Sequence, residues 1–190
     1  MKRILLVVSC LLLCFPLMAD HHLEVVKGEK PVFKEGDTAV IELDMSETTW
    51  EDTETMKHHF DEYEKLLESI SDMFRISFNR NSTTLKIKHT DTPKYKFVLR
   101  PSNFFCKVGS FYKKYTYIWG DLDIIDCASD DILCSIQITQ FKGRESDYVE
   151  AESVVKCISY LAEQLTKEIP SVSPGKKKRT FEDGIYSEPL

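Results

Sequence analysis

Two changes of hydrophobic period constrain this chain more than any other feature. Met56, Phe60, Tyr63, Leu67, Ile70 and Phe74 recur at steps of four, three, four, three and four, which places all six on one helical stripe. Thr53 or Glu54 is the expected start, and the turn formers of 79–82 the expected end. From Thr83 the period falls to two, predicting strands at 85–89, 95–100, 115–126 and 132–141. The helical period then returns over 147–168, with Ala151, Val154, Ile158, Leu161, Leu165 and Ile169 as its stripe. Ahead of the first helix, Ala39, Ile41 and Leu43 alternate with Val40, Glu42 and Asp44 as one more short strand.

This order predicts an α+β fold. The expected form is a two-layer sandwich, a mixed and mostly antiparallel sheet of about five strands with two long helices packed on one face. The first strand and helix should cross over to a parallel neighbour, and the later strands should meander. Residues 37–169 form the single domain, 20–36 a loosely ordered lead-in without periodicity, and 170–190 a polar disordered tail.

The start of the chain reads as an export signal. Lys2 and Arg3 precede an unbroken apolar run from Ile4 to Phe15, and Pro16-Leu17-Met18-Ala19 closes it on a small residue, so Met1 to Ala19 is the expected cleaved signal peptide. The run is about a dozen residues, short of the roughly 20 that span a bilayer. Cys10 and Cys14 lie inside it, but Cys10 has little apolar core ahead of it and Cys14 follows the bulky Leu13. A periplasmic or secreted product is therefore expected ahead of a lipid-anchored one, with no transmembrane span.

The signal takes two of the 25 basic residues and none of the 31 acidic ones, leaving 23 against 31 and a net charge of −8. Such a surface disfavours nucleic acid as partner. Cys106, Cys127, Cys134 and Cys157 remain as disulfide candidates in an oxidising compartment, where four cysteines allow three pairings. Cys134 shares a face with Ile132, Ile136 and Ile138, whereas Cys127 falls in phase with Asp123 and Ile125, so a direct bridge between the two needs a bulge or a slipped register.

No Gly-x-Ser-x-Gly elbow, His-Glu-x-x-His pair, Cys-x-x-Cys pair or glycine-rich phosphate loop occurs, and no cofactor is implied. His58 and His59 are adjacent on a helix and splay about 100° apart. The carboxylates around 121–131 read as a solvated strand face and turn rather than a Ca²⁺ site. One metal candidate comes from processing. Cleavage after Ala19 exposes an amine followed by Asp20, His21 and His22, which can wrap Cu²⁺ or Ni²⁺ in a square plane. Phe105, Phe111, Tyr112, Tyr115, Tyr117 and Trp119, interleaved with Lys107, Lys113 and Lys114, form the candidate binding patch.

Asp44-Met45-Ser46 at the end of the first strand, Tyr95-Lys96-Phe97-Val98-Leu99, and the run from Tyr117-Ile118-Trp119-Gly120 to Asp126, with the closing helix from Ala151 to Lys167, resemble small exported proteins of Bacteroides-type bacteria. The resemblance covers roughly 36–169. It implies an envelope location and a two-layer α/β fold, and implies no activity. The glycine-containing hairpin turn of those proteins is replaced here by Ser129-Asp130-Asp131. Taken together, the sequence favours a non-enzymatic envelope module that binds a protein or glycan, its oligomeric state open. The competing class is an enzyme, such as a hydrolase, whose site the sequence does not reveal.

Overall fold

The computed structural model describes residues 22–109, 113–146 and 150–169. The strands are β1 (Leu23–Gly28), β2 (Thr38–Leu43), β3 (Thr49–Trp50), β4 (Glu54–Thr55), β5 (Lys86–Ile87), β6 (Tyr95–Val108), β7 (Lys114–Asp126) and β8 (Ile132–Lys142). The helices are α1 (Met56–His59), α2 (Tyr63–Asn81) and α3 (Glu150–Glu168). All the strands join one sheet in the order β1-β8-β7-β6-β2-β5, with β3 on β6 and β4 on β3. The neighbours of β2 run parallel to it, and β6, β7, β8 and β1 pair antiparallel.

This overturns the expected two-layer sandwich of five strands and two long helices. The described residues are mainly β, with a mixed sheet of eight strands and three helices. Three strands escaped the sequence reading. The strand β1 lies within the segment expected to be loosely ordered, where a bulge between Val25 and Lys27 breaks its alternation. At two residues each, β3 and β4 are too short to carry a period. The first helical stripe is also divided. Phe60 adopts extended geometry (φ −105°, ψ 115°) and ends α1, so α2 restarts at Tyr63. Phe60, Tyr63 and Leu67 are only half-buried, whereas Ile70 and Phe74 of the expected stripe are buried and Leu66 and Phe78 join them. The leader Met1–Ala19 and the tail 170–190 lie outside the described residues.

The core lies where α2 and α3 meet each other and the sheet. Phe74 stacks on Phe78 with ring centres 6.1 Å apart, and Phe78 meets Phe97 of β6 edge-on at 5.5 Å. Along α3, Val154, Ile158, Leu161 and Leu165 are wholly buried as expected, each such burial being worth roughly 1.5–3 kcal/mol. Two hydroxyl pairs fix the register of these layers. Ser77 of α2 meets Ser159 of α3 at 2.7 Å, and Thr116 of β7 meets Ser153 of α3 at 2.5 Å.

The sheet does not keep one phase along its length. On β6, a bulge between Pro101 and Asn103 reverses the faces, so Phe97 and Leu99 point to the core before it and Phe104 after it. On β8, the register slips between the partners of Ile118 and Gly120, where Gln140 has φ 49°, and inward residues change from Cys134, Ile136 and Ile138 to Phe141. A further slip beside Ile124 and Ile125 leaves Ile132, expected inside, 40% exposed.

Both large shifts flank Gly120. It has φ 152°, and a β-carbon there would stand 2.3 Å from the Arg100 carbonyl oxygen, so only glycine fits without displacing the β6 backbone. Gly120→Ala should therefore lower unfolding free energy by about 1–3 kcal/mol, read as a lower urea midpoint. Gly36→Ala, also at positive φ (91°) but with nothing within 4 Å of the added methyl, should cost less. Equal losses would show that the approach to Arg100 is unimportant.

Candidate functional site

The reversal of phase on β6 turns Phe105 outward, where it is 39% exposed. Its cross-strand partner is Tyr117, and that of Asn103 is Trp119. The rings of Tyr117 and Trp119 lie 6.4 Å apart at 37°. Tyr115, opposite Lys107, continues the same face of β7 by alternation. Four of the candidate patch residues thus share one face of the β6–β7 ribbon. Phe111 and Tyr112 lie outside the described residues.

Beyond the aromatics the same face becomes polar. Arg100 donates to Asp123 at 2.6 Å, and Asp123 also accepts from the Ser135 hydroxyl at 2.6 Å. Asp126 accepts the backbone N–H groups of Ala128 and Ser129 and so shapes the β7–β8 turn. These carboxylates have structural partners. Among the described residues, no three His, Cys, Asp or Glu side chains are grouped to hold a metal ion.

A groove of about 930 Å³ opens between the end of β8 and the last turns of α3, with His22 and Leu23 at one rim. Phe141 and Tyr160 form its floor, with ring centres 5.6 Å apart. The Arg144 guanidinium lies 4.8 Å from the Tyr160 ring centre and donates to Glu163, which also accepts from Lys167 at 3.0 Å. At the opposite end, Lys142 Nζ sits 3.9 Å from the Tyr115 ring centre, and the Tyr115 hydroxyl donates to Glu145 at 2.9 Å. Hydrogen bonds from Lys113 and Tyr115 hold the Glu145 carboxyl below its ordinary range. Only Tyr115 and His22 of this site were singled out from sequence, because the groove joins segments that no local pattern connects.

A third cluster surrounds His59. Its ring stacks on Trp50 with centres 4.8 Å apart at 15°, and Phe60 meets it edge-on at 4.7 Å. Nδ1 lies 2.8 Å from Glu54, and Nε2 lies 3.2 Å from Glu150 at the start of α3. Lys114 also reaches Glu150, at 3.3 Å. Burial works against charge on the ring, but the hydrogen bonds to Glu54 and Glu150 outweigh it and raise the His59 pKa above its ordinary value. Both ring nitrogens are thus committed to carboxylates, a geometry for clamping β4 to α3 rather than for taking a proton from a nucleophile. Sequence offered no signal for it, since Glu150 lies 91 positions away.

The four cysteines are unbridged. Cys134 pairs across the hairpin with Ile124, while the Cys127 N–H donates to Lys94 beyond the end of β7. Cys157 is fully buried in α3, Cys106 half-buried and Cys127 exposed. Burial pushes all four thiols up, away from the thiolate that nucleophilic or metal chemistry requires. Of the Asp20, His21 and His22 candidate, the first two residues lie outside the described residues. The His22 ring packs edge-on to Phe141, and its Nδ1 lies 3.1 Å from the Thr139 carbonyl. Copper capture through that nitrogen would have to break this contact.

No protein-family model matches the chain, and no curated protein matches it. Among solved structures it is similar to the PelC dodecamer from Paraburkholderia phytofirmans, at 10% identity over 80% of this chain and 98% of that one, with a TM-score of 0.43. It is also similar to protein XCC0632 from Xanthomonas campestris, at 10% identity over 78% and 93% with a TM-score of 0.44. A third is a minor lipoprotein from Acinetobacter baumannii, at 13% identity over 70% and 91% with a TM-score of 0.38. No helix among the described residues is long and apolar enough to cross a membrane.

The His59 clamp makes a pH prediction. A folded-state pKa raised above the ordinary histidine value of 6.5 gives stability that is fully present below that value and lost as pH climbs through the higher one. The urea midpoint should fall across this window. Trp50 emission, read in a Trp119→Phe background, should rise as the imidazolium on its face loses its charge. His59→Gln should flatten both profiles, and titration that persists in this variant would remove His59 from the explanation.

Proposed function

We propose that the chain is an exported, non-catalytic binding module of a bacterial envelope, and that Phe105, Tyr117 and Trp119, extended by Tyr115, form its contact surface for a partner protein. The carrying observation is the Phe105–Tyr117 cross-strand pair beside Trp119, which gathers aromatic side chains on the outward face of a long two-stranded ribbon. Tyr and Trp offer large contact area for few rotatable bonds, and such side chains dominate binding at interfaces. Arg100, fixed by Asp123, supplies a polar margin.

Export is supported by the order of charge, apolar run and small residue over Met1 to Ala19. The resemblance of 36–169 to small exported proteins of Bacteroides-type bacteria belongs to the same proposal. The hydrolase reading has less support: the imidazole of His59 is held between two carboxylates, and the thiols sit above their ordinary pKa values.

Capture from the native envelope tests the reading. Tagged mature protein should retain a specific protein partner, and the Tyr117→Ala/Trp119→Ala double variant, checked for folding by near-UV circular dichroism, should lose at least about 2 kcal/mol of affinity. Undiminished capture by that variant would sink the assignment of this surface.

A further inference from the structure

We infer that the groove between the end of β8 and α3 is a second binding site, meeting the aromatic ribbon only at Tyr115, and that it takes a short, uncharged oligosaccharide. Its lining excludes the simpler ligand classes. Lys142, Arg144 and Lys167 face Glu145, Glu163 and Glu168, so a polyanion or a polycation meets as much repulsion as attraction. Phe141 is 4% exposed and shows the groove little apolar area, so a lipid chain or greasy peptide anchor finds no deep apolar slot. What remains are half-buried tyrosine rings beside paired donors and acceptors.

That combination matches a sugar, whose neighbouring hydroxyls each give and take a hydrogen bond while its C–H groups rest against the aromatic lining. Arg144 and Glu163, joined to each other, place a guanidinium next to a carboxylate beside the Tyr160 ring. At the other end the Tyr115 hydroxyl and Glu145 repeat the arrangement, with Lys142 above the ring. Two such stations in one groove of about 930 Å³, near the upper limit for ligand clefts, suit a chain of several sugar units. Because ion pairs and ring contacts already hold these side chains, little rotamer freedom is lost when a ligand enters. The binding energy is then not spent on ordering the site.

Titrating mature protein with neutral tetrasaccharides (cellotetraose, N-acetylated chitotetraose and mannotetraose) beside tetragalacturonate and deacetylated chitosan tetramer, followed by calorimetry, tests this. At least one neutral tetrasaccharide should bind, and neither charged one should bind more tightly. Arg144 is 60% exposed on its side chain, so Arg144→Ala should fold normally yet weaken binding by about tenfold. Glu163→Gln should weaken it comparably, while Trp119→Ala, on the ribbon, should leave it unchanged. The inference is overturned if no neutral tetrasaccharide binds at millimolar concentration, if a charged one binds best, or if Arg144→Ala and Glu163→Gln retain full affinity. Loss of binding in Trp119→Ala alone would move the ligand to the ribbon and overturn the separate site. Protein capture is read with Tyr117→Ala/Trp119→Ala and sugar binding with Arg144→Ala and Glu163→Gln, so the two sites are tested without touching the Tyr115 they share.

Discussion

Much of the sheet depends on how closely β6 approaches β7 at Gly120. The Arg100 carbonyl and the Pro101 α-carbon occupy the space that any larger residue would need. With that space filled by backbone, the paired strands change register here, and the bulge beside Ser102 follows on β6. A long antiparallel ribbon of regular pleat would keep each aromatic on the face its parity dictates. Here the parity is reset partway along, so β6 buries Phe97 in one half and presents Phe105 in the other.

Legibility in the sequence followed the length of the periodic segments. The stripe of α3 and the shared face of Cys134, Ile136 and Ile138 were readable because one phase holds over several turns or pleats. Phe60 was misread because its spacing fits the stripe while its backbone is extended, its ring meeting Trp50 and His59 edge-on. The strands β3 and β4 exist through tertiary pairing alone. The hydroxyl of the buried Thr48, which donates to the Pro101 carbonyl at 2.6 Å, ties this segment to the β6 bulge. Of the candidate site, the aromatic ribbon was partly visible as a crowd of rings. Which rings face outward was not, since that depends on a bulge one residue long.

The ribbon and the groove share an origin. At Ser102 an extra residue sends Phe105 to solvent, and at Gln140 another turns Phe141 toward α3, where it becomes the floor against Tyr160. Regular sheet would have supplied neither surface. Bulges commonly sit where a side chain must be re-aimed, and here two at neighbouring levels serve opposite faces. The His59 clamp lies elsewhere, bracing the β3–β4 segment against α3 through Glu54 and Glu150.

The position of β1 bears on the order in which the chain can assemble. Its partner is β8, and the hydrogen bond from the Thr139 N–H to the His22 carbonyl closes a separation of 117 positions. A polypeptide that emerges from its N-terminus first therefore presents β1 long before a mate exists, and leaves one edge of β8 bare until the ends of the domain meet. Pairings this remote carry a high loop-closure cost and slow the final step. A chain whose first strand mates with its last keeps one edge of its sheet open until nearly all of it has appeared.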